Sequence, residues 1–186
     1  MLTVRTDHLA LTGLQAGPVS PVAMLAADIG AAVEGSRELM GDRIVAALRR
    51  VVADPLLLTA EQRMPGDRCY ARHVVHADPA GRFTILALVW MPGQFSPPHA
   101  HQTWCAYTVC DGVLTETEYA FDGTTEKATA LHSADRHAGY ACFGEAGLDQ
   151  IHRLGNAGVR PAISLHVYGV ESGRIKTHVN RLVDVV

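Results

Sequence analysis

Apolar residues recur with two different periods along this chain, and the change falls near residue 66. Before it, the period is helical. Ser20-Pro21 reads as a cap followed by proline at the first helical position, and it leads into VAMLAADIGAAV. In SRELMGDRIVAALRRVVAD, the residues Leu39, Ile44, Val45, Leu48 and Val52 share one side of a second helix, which Pro55 ends. Thr59 and Gln62 stand at capping-box spacing and predict a short third helix before Pro65-Gly66.

After residue 66 the apolar residues come in short β-branched or aromatic runs: CYARHVVHA, RFTILALVWM, CAYTVC, VLTETEYAF, KATALH, GYACFG, DQIHRL, AISLHVYGV and HVNRLVDVV. Turn formers punctuate them, among them Asp78-Pro79-Ala80-Gly81, Asp111-Gly112 and Asp122-Gly123. Many short strands at this spacing predict an antiparallel barrel or sandwich. The expectation is a mainly β fold in one domain, 1–186, with a helical N-terminal segment over 1–66 and the β unit over 67–186.

Composition narrows the function classes. With 186 residues, 48% of them hydrophobic and 19% charged, the chain is an ordinary globular protein. A net charge of −3 and the lack of any Lys/Arg stripe argue against nucleic acid as a partner. No apolar run reaches the ~18 residues of a membrane span, and Asp7-His8 interrupts the region where a signal peptide needs unbroken apolar sequence. The expected location is therefore the cytoplasm. There the four cysteines, which form no CxxC pair, would stay as thiols. The outlier is histidine, with ten copies.

Two of the ten stand in PPHAHQTWCAYTVCDG. In a strand, His99 and His101 face one side and Ala100 the other. Such a pair reads as two ligands of a metal or, more often when taken alone, as two surface residues of an edge strand. Its surroundings, G-x5-H-x-H-x3-C-x6-G from Gly93 to Gly112, resemble the first motif of the cupin superfamily, with Cys105 in the place of the usual glutamate. IHRLGN resembles the second motif through His152 and Asn156, although EAGLDQ before it lacks the expected proline and glycine. Iron(II) on three neutral imidazoles keeps its full charge and favours an anionic partner such as a thiolate.

Over residues 68–170 the chain further resembles the thiol dioxygenases of the cysteine dioxygenase family. PPHAHQTW matches the iron-binding HxH, with Ala100 where relatives commonly carry aspartate, and IHRLGN matches the segment of the third ligand. SLHVY matches the Ser-x-His-x-Tyr relay, and YARHVV the segment with the carboxylate-binding arginine. The resemblance implies a cupin-type fold, Fe(II) on His99, His101 and His152, and a relay of Ser164, His166 and Tyr168 whose hydroxyl serves the reacting groups. It implies Arg72, with Tyr70 beside it, on the substrate carboxylate. The partners would be a small thiol and dioxygen, and the product a sulfinic acid.

Cys105 departs from the bacterial members, many of which carry glycine there. In the animal type a cysteine of this region joins the active-site tyrosine as a thioether, so the resemblance makes Cys105–Tyr168 a candidate pair. Relatives that use 3-mercaptopropionate tend to have glutamine at the position of Arg72 and an arginine shortly after the relay, where Thr177 aligns here. L-cysteine is thus the expected substrate, in sulfur-amino-acid catabolism. The alternatives are 3-mercaptopropionate or another small thiol, or a non-catalytic cupin that binds a small molecule. Cupin isomerases and dioxygenases acting on carbon usually keep the glutamate that Cys105 replaces.

Overall fold

Two α-helices and ten strands follow one another across residues 19–186, which the computed structural model describes. The expectation about a leader segment lies outside these residues. Helix α1 (Pro21–Glu34) starts as its sequence predicts, with Ser20 Oγ accepting from Ala23 N at 3.1 Å. Helix α2 spans Arg37–Val51. The third helix shrinks to a single 3-10 turn, Glu61–Arg63. Its capping box does form, with Gln62 N donating to Thr59 Oγ1 and Thr59 N to Gln62 Oε1. Pro65 stops it, because the residue before a proline prefers extended backbone, as Met64 has at ψ 131°.

The strands are β1 (Ala71–Ala77), β2 (Thr84–Trp90), β3 (His99–His101), β4 (Cys105–Asp111) and β5 (Val113–Asp122), then β6 (Lys127–His137), β7 (Ala141–Gly144), β8 (Gly147–Gly155), β9 (Ala162–Tyr168) and β10 (Asn180–Leu182). They form two five-stranded sheets, ordered β1-β2-β9-β4-β7 and β10-β3-β8-β5-β6. Two strands differ from the sequence pattern. β6 runs to His137 instead of His132, since its pairing with β5 continues through residues that are nearly all exposed and give no apolar alternation. The final run pairs as a strand only over Asn180–Leu182, and Val185 makes an isolated bridge to Ala128.

The helices explain why β2 and β9 read as continuous apolar runs: every residue of both is buried. On one face, Ile85, Ala87, Val89, Ile163, Leu165 and Val167 pack against Leu25, Ile29, Ile44 and Leu48 of the helices. Alternate residues point between the sheets, so Leu86, Leu88 and Trp90 share the interior with Ser164, His166 and Tyr168. Each buried Leu or Ile adds about 1.5–3 kcal/mol. The helical layer thus seals the outer face of the sheet whose inner face carries polar groups. Among the described residues no helix is long and apolar enough to cross a membrane.

Candidate active site

Gly93, at φ 80°, and Gly112, at φ 72°, supply the left-handed turns that bracket the HxH segment. At Gly112 a Cβ would also come within 2.9 Å of Pro161 O. Between them Pro97-Pro98 leads into β3, and antiparallel pairing sets His99 opposite His152 of β8. The result is a group of three imidazoles, His99, His101 and His152, whose ligating nitrogens lie within 4.8 Å of one another.

Hydrogen bonds orient two of the rings. His99 Nδ1 lies 2.9 Å from Pro97 O, a pure acceptor, and so carries the hydrogen and leaves Nε2 as a lone pair. His152 Nδ1 lies 2.7 Å from Glu116 Oε1, and its Nε2 is buried without a partner. Burial, reinforced by His152, holds His99 down at about 3 and His101 at about 2. Neutral rings at His99 and His101, with an orphaned buried nitrogen on His152, fit a divalent transition metal.

β9 runs past this group. Ser164 Oγ lies 2.9 Å from His166 Nε2, and His166 Nδ1 lies 3.2 Å from the Tyr168 hydroxyl. Cys105 of β4 is the direct partner of Tyr168 across the sheet, and both are buried. Burial pushes the Cys105 thiol and the Tyr168 phenol well above their ordinary values. Arg72 Nη2 donates to the Tyr70 hydroxyl at 2.7 Å, and the Tyr70 ring stacks on Trp90 at 4.1 Å. Arg72, Tyr70, Tyr168 and the three histidines line one small cavity, so the structure brings together every residue singled out for substrate and metal, with Cys105 beside Tyr168. Asn156, in contrast, is a turn brace: its Nδ2 donates to Trp90 O and Arg160 O.

A family model described as cysteine dioxygenase type I matches residues 66–180, more than half of the chain. The chain belongs to the cysteine dioxygenase type I family. Among solved structures it is similar to the protein TT1209 from Thermus thermophilus, at 20% identity and TM-score 0.47 over 61% of this chain and 97% of that one. An uncharacterized conserved protein with a double-stranded β-helix domain from Klebsiella pneumoniae is 23% identical, at TM-score 0.45 over 60% and 86%. A cupin superfamily protein from Desulfitobacterium hafniense is 12% identical, at TM-score 0.43 over 58% and 84%. The fold is the mainly β architecture, two antiparallel sheets behind an N-terminal helical segment, that the strand pattern predicts. Membership in the family makes the chain an oxygenase-type enzyme.

Sequence reasoning missed what stands behind His152 in this family member. Glu116 of β5 is buried, and its Oε2 accepts from Arg136 Nε at 2.8 Å and from the Tyr107 hydroxyl at 2.9 Å. Burial alone would raise the carboxyl, but its bonds to His152, Arg136 and Tyr107 bring it down to about 2. Tyr107 also stacks on His166, with centroids 5.2 Å apart and planes at 15°. One tyrosine therefore touches both the relay and the carboxylate that holds a metal-group histidine. Trp90, whose Nε1 lies 2.9 Å from Ser164 Oγ, is the second omission. The signal for Glu116 was its period-2 spacing from the apolar Leu114, which puts a carboxylate on an inward face.

Proposed function

We propose that this chain is an Fe(II)-dependent thiol dioxygenase that adds both atoms of dioxygen to the sulfur of L-cysteine, giving cysteine sulfinic acid. The observation that carries this reading is Arg72 on the same small cavity as the three histidines and Tyr168. A larger cavity of about 260 Å³ flanks His101 and His152 from the other side, but Glu116, Glu118 and Asp149 line it and no Arg or Lys does. A thiol carboxylate suits the Arg72 side, where a planar guanidinium pairs with it. Arg174, Lys176 and Arg181 are exposed and none lines that cavity, which favours cysteine over thiols that need an arginine after the relay.

His99, His101 and His152 would hold the iron, which when bound supplies the redox chemistry by which dioxygen reacts with a thiolate. The chain's own groups do the rest. Arg72 and Tyr70 fix the carboxylate, so the sulfur is directed at the histidine group and the encounter becomes a positioned one. The substrate thiol gives up its proton, and the thiolate with dioxygen balances as R–S⁻ + O₂ → R–SO₂⁻. Tyr168, oriented through His166 and Ser164, offers a hydroxyl to the charge that develops on oxygen. The enclosing walls, with Trp90 and Leu88 buried, limit water. We place the reaction in cysteine breakdown in the reducing cytoplasm, with a small thiol and dioxygen as the partners.

The test is oxygen uptake by iron-loaded protein offered L-cysteine, 3-mercaptopropionate and mercaptosuccinate in parallel, with the product identified by mass. Uptake with cysteine and a matching sulfinate is expected. Preference for either other thiol overturns the substrate assignment, and no uptake by protein carrying one iron per chain overturns the reaction.

A further inference from the structure

In the line Trp90–Ser164–His166–Tyr168, only one end has a polarity that chemistry fixes. The Trp90 indole nitrogen carries a hydrogen and no acceptor lone pair, so across its 2.9 Å contact it donates to Ser164 Oγ. The indole hydrogen thereby bars the Ser164 hydroxyl hydrogen from that side. Ser164 is fully buried, and its remaining partner among the described residues is His166 Nε2, at 2.9 Å. Its hydrogen therefore goes to His166. Burial keeps His166 neutral, so the ring has a single N–H. With Nε2 accepting, that hydrogen sits on Nδ1 and is donated to the Tyr168 oxygen 3.2 Å away. Tyr168 then has its own hydrogen free of His166, for the side where the Cys105 sulfur and the cavity with the three histidines lie.

The reverse arrangement has Tyr168 donating to Nδ1 and Nε2 donating to Ser164. It strands the Ser164 hydrogen in a buried place where the indole hydrogen already points, the kind of unsatisfied donor that folded proteins avoid. We propose that Trp90 sets the direction of the relay, keeping the hydroxyl hydrogen of Tyr168 off His166 and so available to the three-histidine cavity. Trp90 is thus a positioning residue, acting through Ser164 and His166. The hydrogen's direction follows from the contact geometry and the neutral ring of His166, and its catalytic meaning rests on the dioxygenase reading.

The test reads the tautomer of His166 directly, in the full-length protein loaded with diamagnetic zinc and labelled with ¹⁵N-histidine. Protonated and unprotonated ring nitrogens give well-separated signals. The wild type is expected to carry the hydrogen on Nδ1, and W90F to show a new population with it on Nε2. Since Trp90→Phe removes ring volume as well as a donor, the same experiment is run with benzothienylalanine at position 90. That side chain keeps the indole shape, and its sulfur donates nothing and accepts weakly. Hydrogen on Nε2 in the wild type, or an unchanged Nδ1 tautomer in both variants, overturns the proposal. In the iron-loaded enzyme with benzothienylalanine at position 90, which keeps the stack on Tyr70, kcat is expected to fall about tenfold or more with KM for the thiol nearly unchanged. A shifted tautomer with unchanged kcat overturns the link to chemistry, whereas wild-type protein that oxidises no thiol would refute the dioxygenase reading and leave the tautomer result standing.

Discussion

Acidification from pH 7.5 to 5.5 should cost the metal-free protein about 4 kcal/mol of stability. His99, His101 and His166 are 5%, 7% and 4% exposed, and burial keeps all three neutral in the native state at either pH. In the unfolded chain each recovers the ordinary histidine value of about 6.5. The unfolded state therefore binds protons that the native state refuses, and stability falls as pH drops below about 6.5. Because the native rings stay neutral throughout this window, the unfolded value alone sets the size. Each ring contributes about 1.4 kcal/mol over these two pH units, or about 4 kcal/mol for three. That is a large part of the 5–15 kcal/mol typical of a domain.

The carboxylates do not offset it. Glu116 and Asp78, both held at about 2, are ionised in the native state across the window, as are ordinary carboxylates in the unfolded chain. Their stabilisation is present above pH 5 and is lost only as pH falls from about 4 toward 2. Urea unfolding with a chelator present, followed through the two tryptophans, measures the difference. Removing one ring by His166→Gln should reduce the pH-dependent loss to about 3 kcal/mol. A loss below about 1.4 kcal/mol for the wild type, or a gain on acidification, would refute the claim that these rings are buried and neutral. A divalent metal should raise stability by a similar amount at both pH values and leave the acid loss unchanged, since His99 and His101 hold no proton in this window that it must displace.

Replacing Glu116 by Gln keeps the shape behind His152 and removes its charge; metal affinity measured by chelator competition should weaken about 10–100-fold with the fold intact by circular dichroism. Arg72→Gln should raise KM for cysteine about 10–100-fold in oxygen-uptake assays with a smaller effect on kcat, because a charge-assisted pair is worth about 1.5–3 kcal/mol. Aerobic turnover with iron should yield a species two hydrogens lighter, with Cys105 and Tyr168 in one linked peptide pair. Intact mass and peptide mapping check it, with Cys105→Ser as the variant that cannot form it.

What the sequence made legible is what local spacing encodes. The Ser20 cap and the Thr59–Gln62 box act over three residues, and both form as read. The pairs His99/His101 and the set Ser164, His166, Tyr168 sit at period 2, so a strand alone puts each on one face. The contacts that escaped are the nonlocal ones. Glu116 reaches His152 across 36 residues, Arg136 reaches Glu116 across 20, and Trp90 reaches Ser164 across 74. Period-2 spacing from Leu114 puts Glu116 on the inward face of β5, but no pattern within that strand names the distant groups it meets there. The length of β6 escaped for a related reason, because an exposed strand held by backbone pairing needs no apolar alternation.

These nonlocal contacts revise the picture of charge that HxH-x3-C suggests. With Cys105 in the place of a glutamate, the candidate ligand set is three imidazoles with no carboxylate, and a metal there would keep its full charge. Yet a carboxylate is present, one bond further out, behind His152. In that place it does not occupy a coordination position, so the open face stays free for substrate. Through the Nδ1 hydrogen it still makes His152 a stronger donor. Its charge is in turn matched by Arg136, which also pairs with Glu118 at 3.0 Å and so ties the network to the edge of the sheet. A bare glutamate in that interior would be costly. Backed by Arg136 and Tyr107, it becomes the fixed dipole against which His152 is set, and Tyr107, stacked on His166, holds the relay to the same brace. Metal ligand and relay are therefore positioned by one set of side chains, so a substitution at Tyr107 should disturb both together, whereas one at Arg72 should leave both in place.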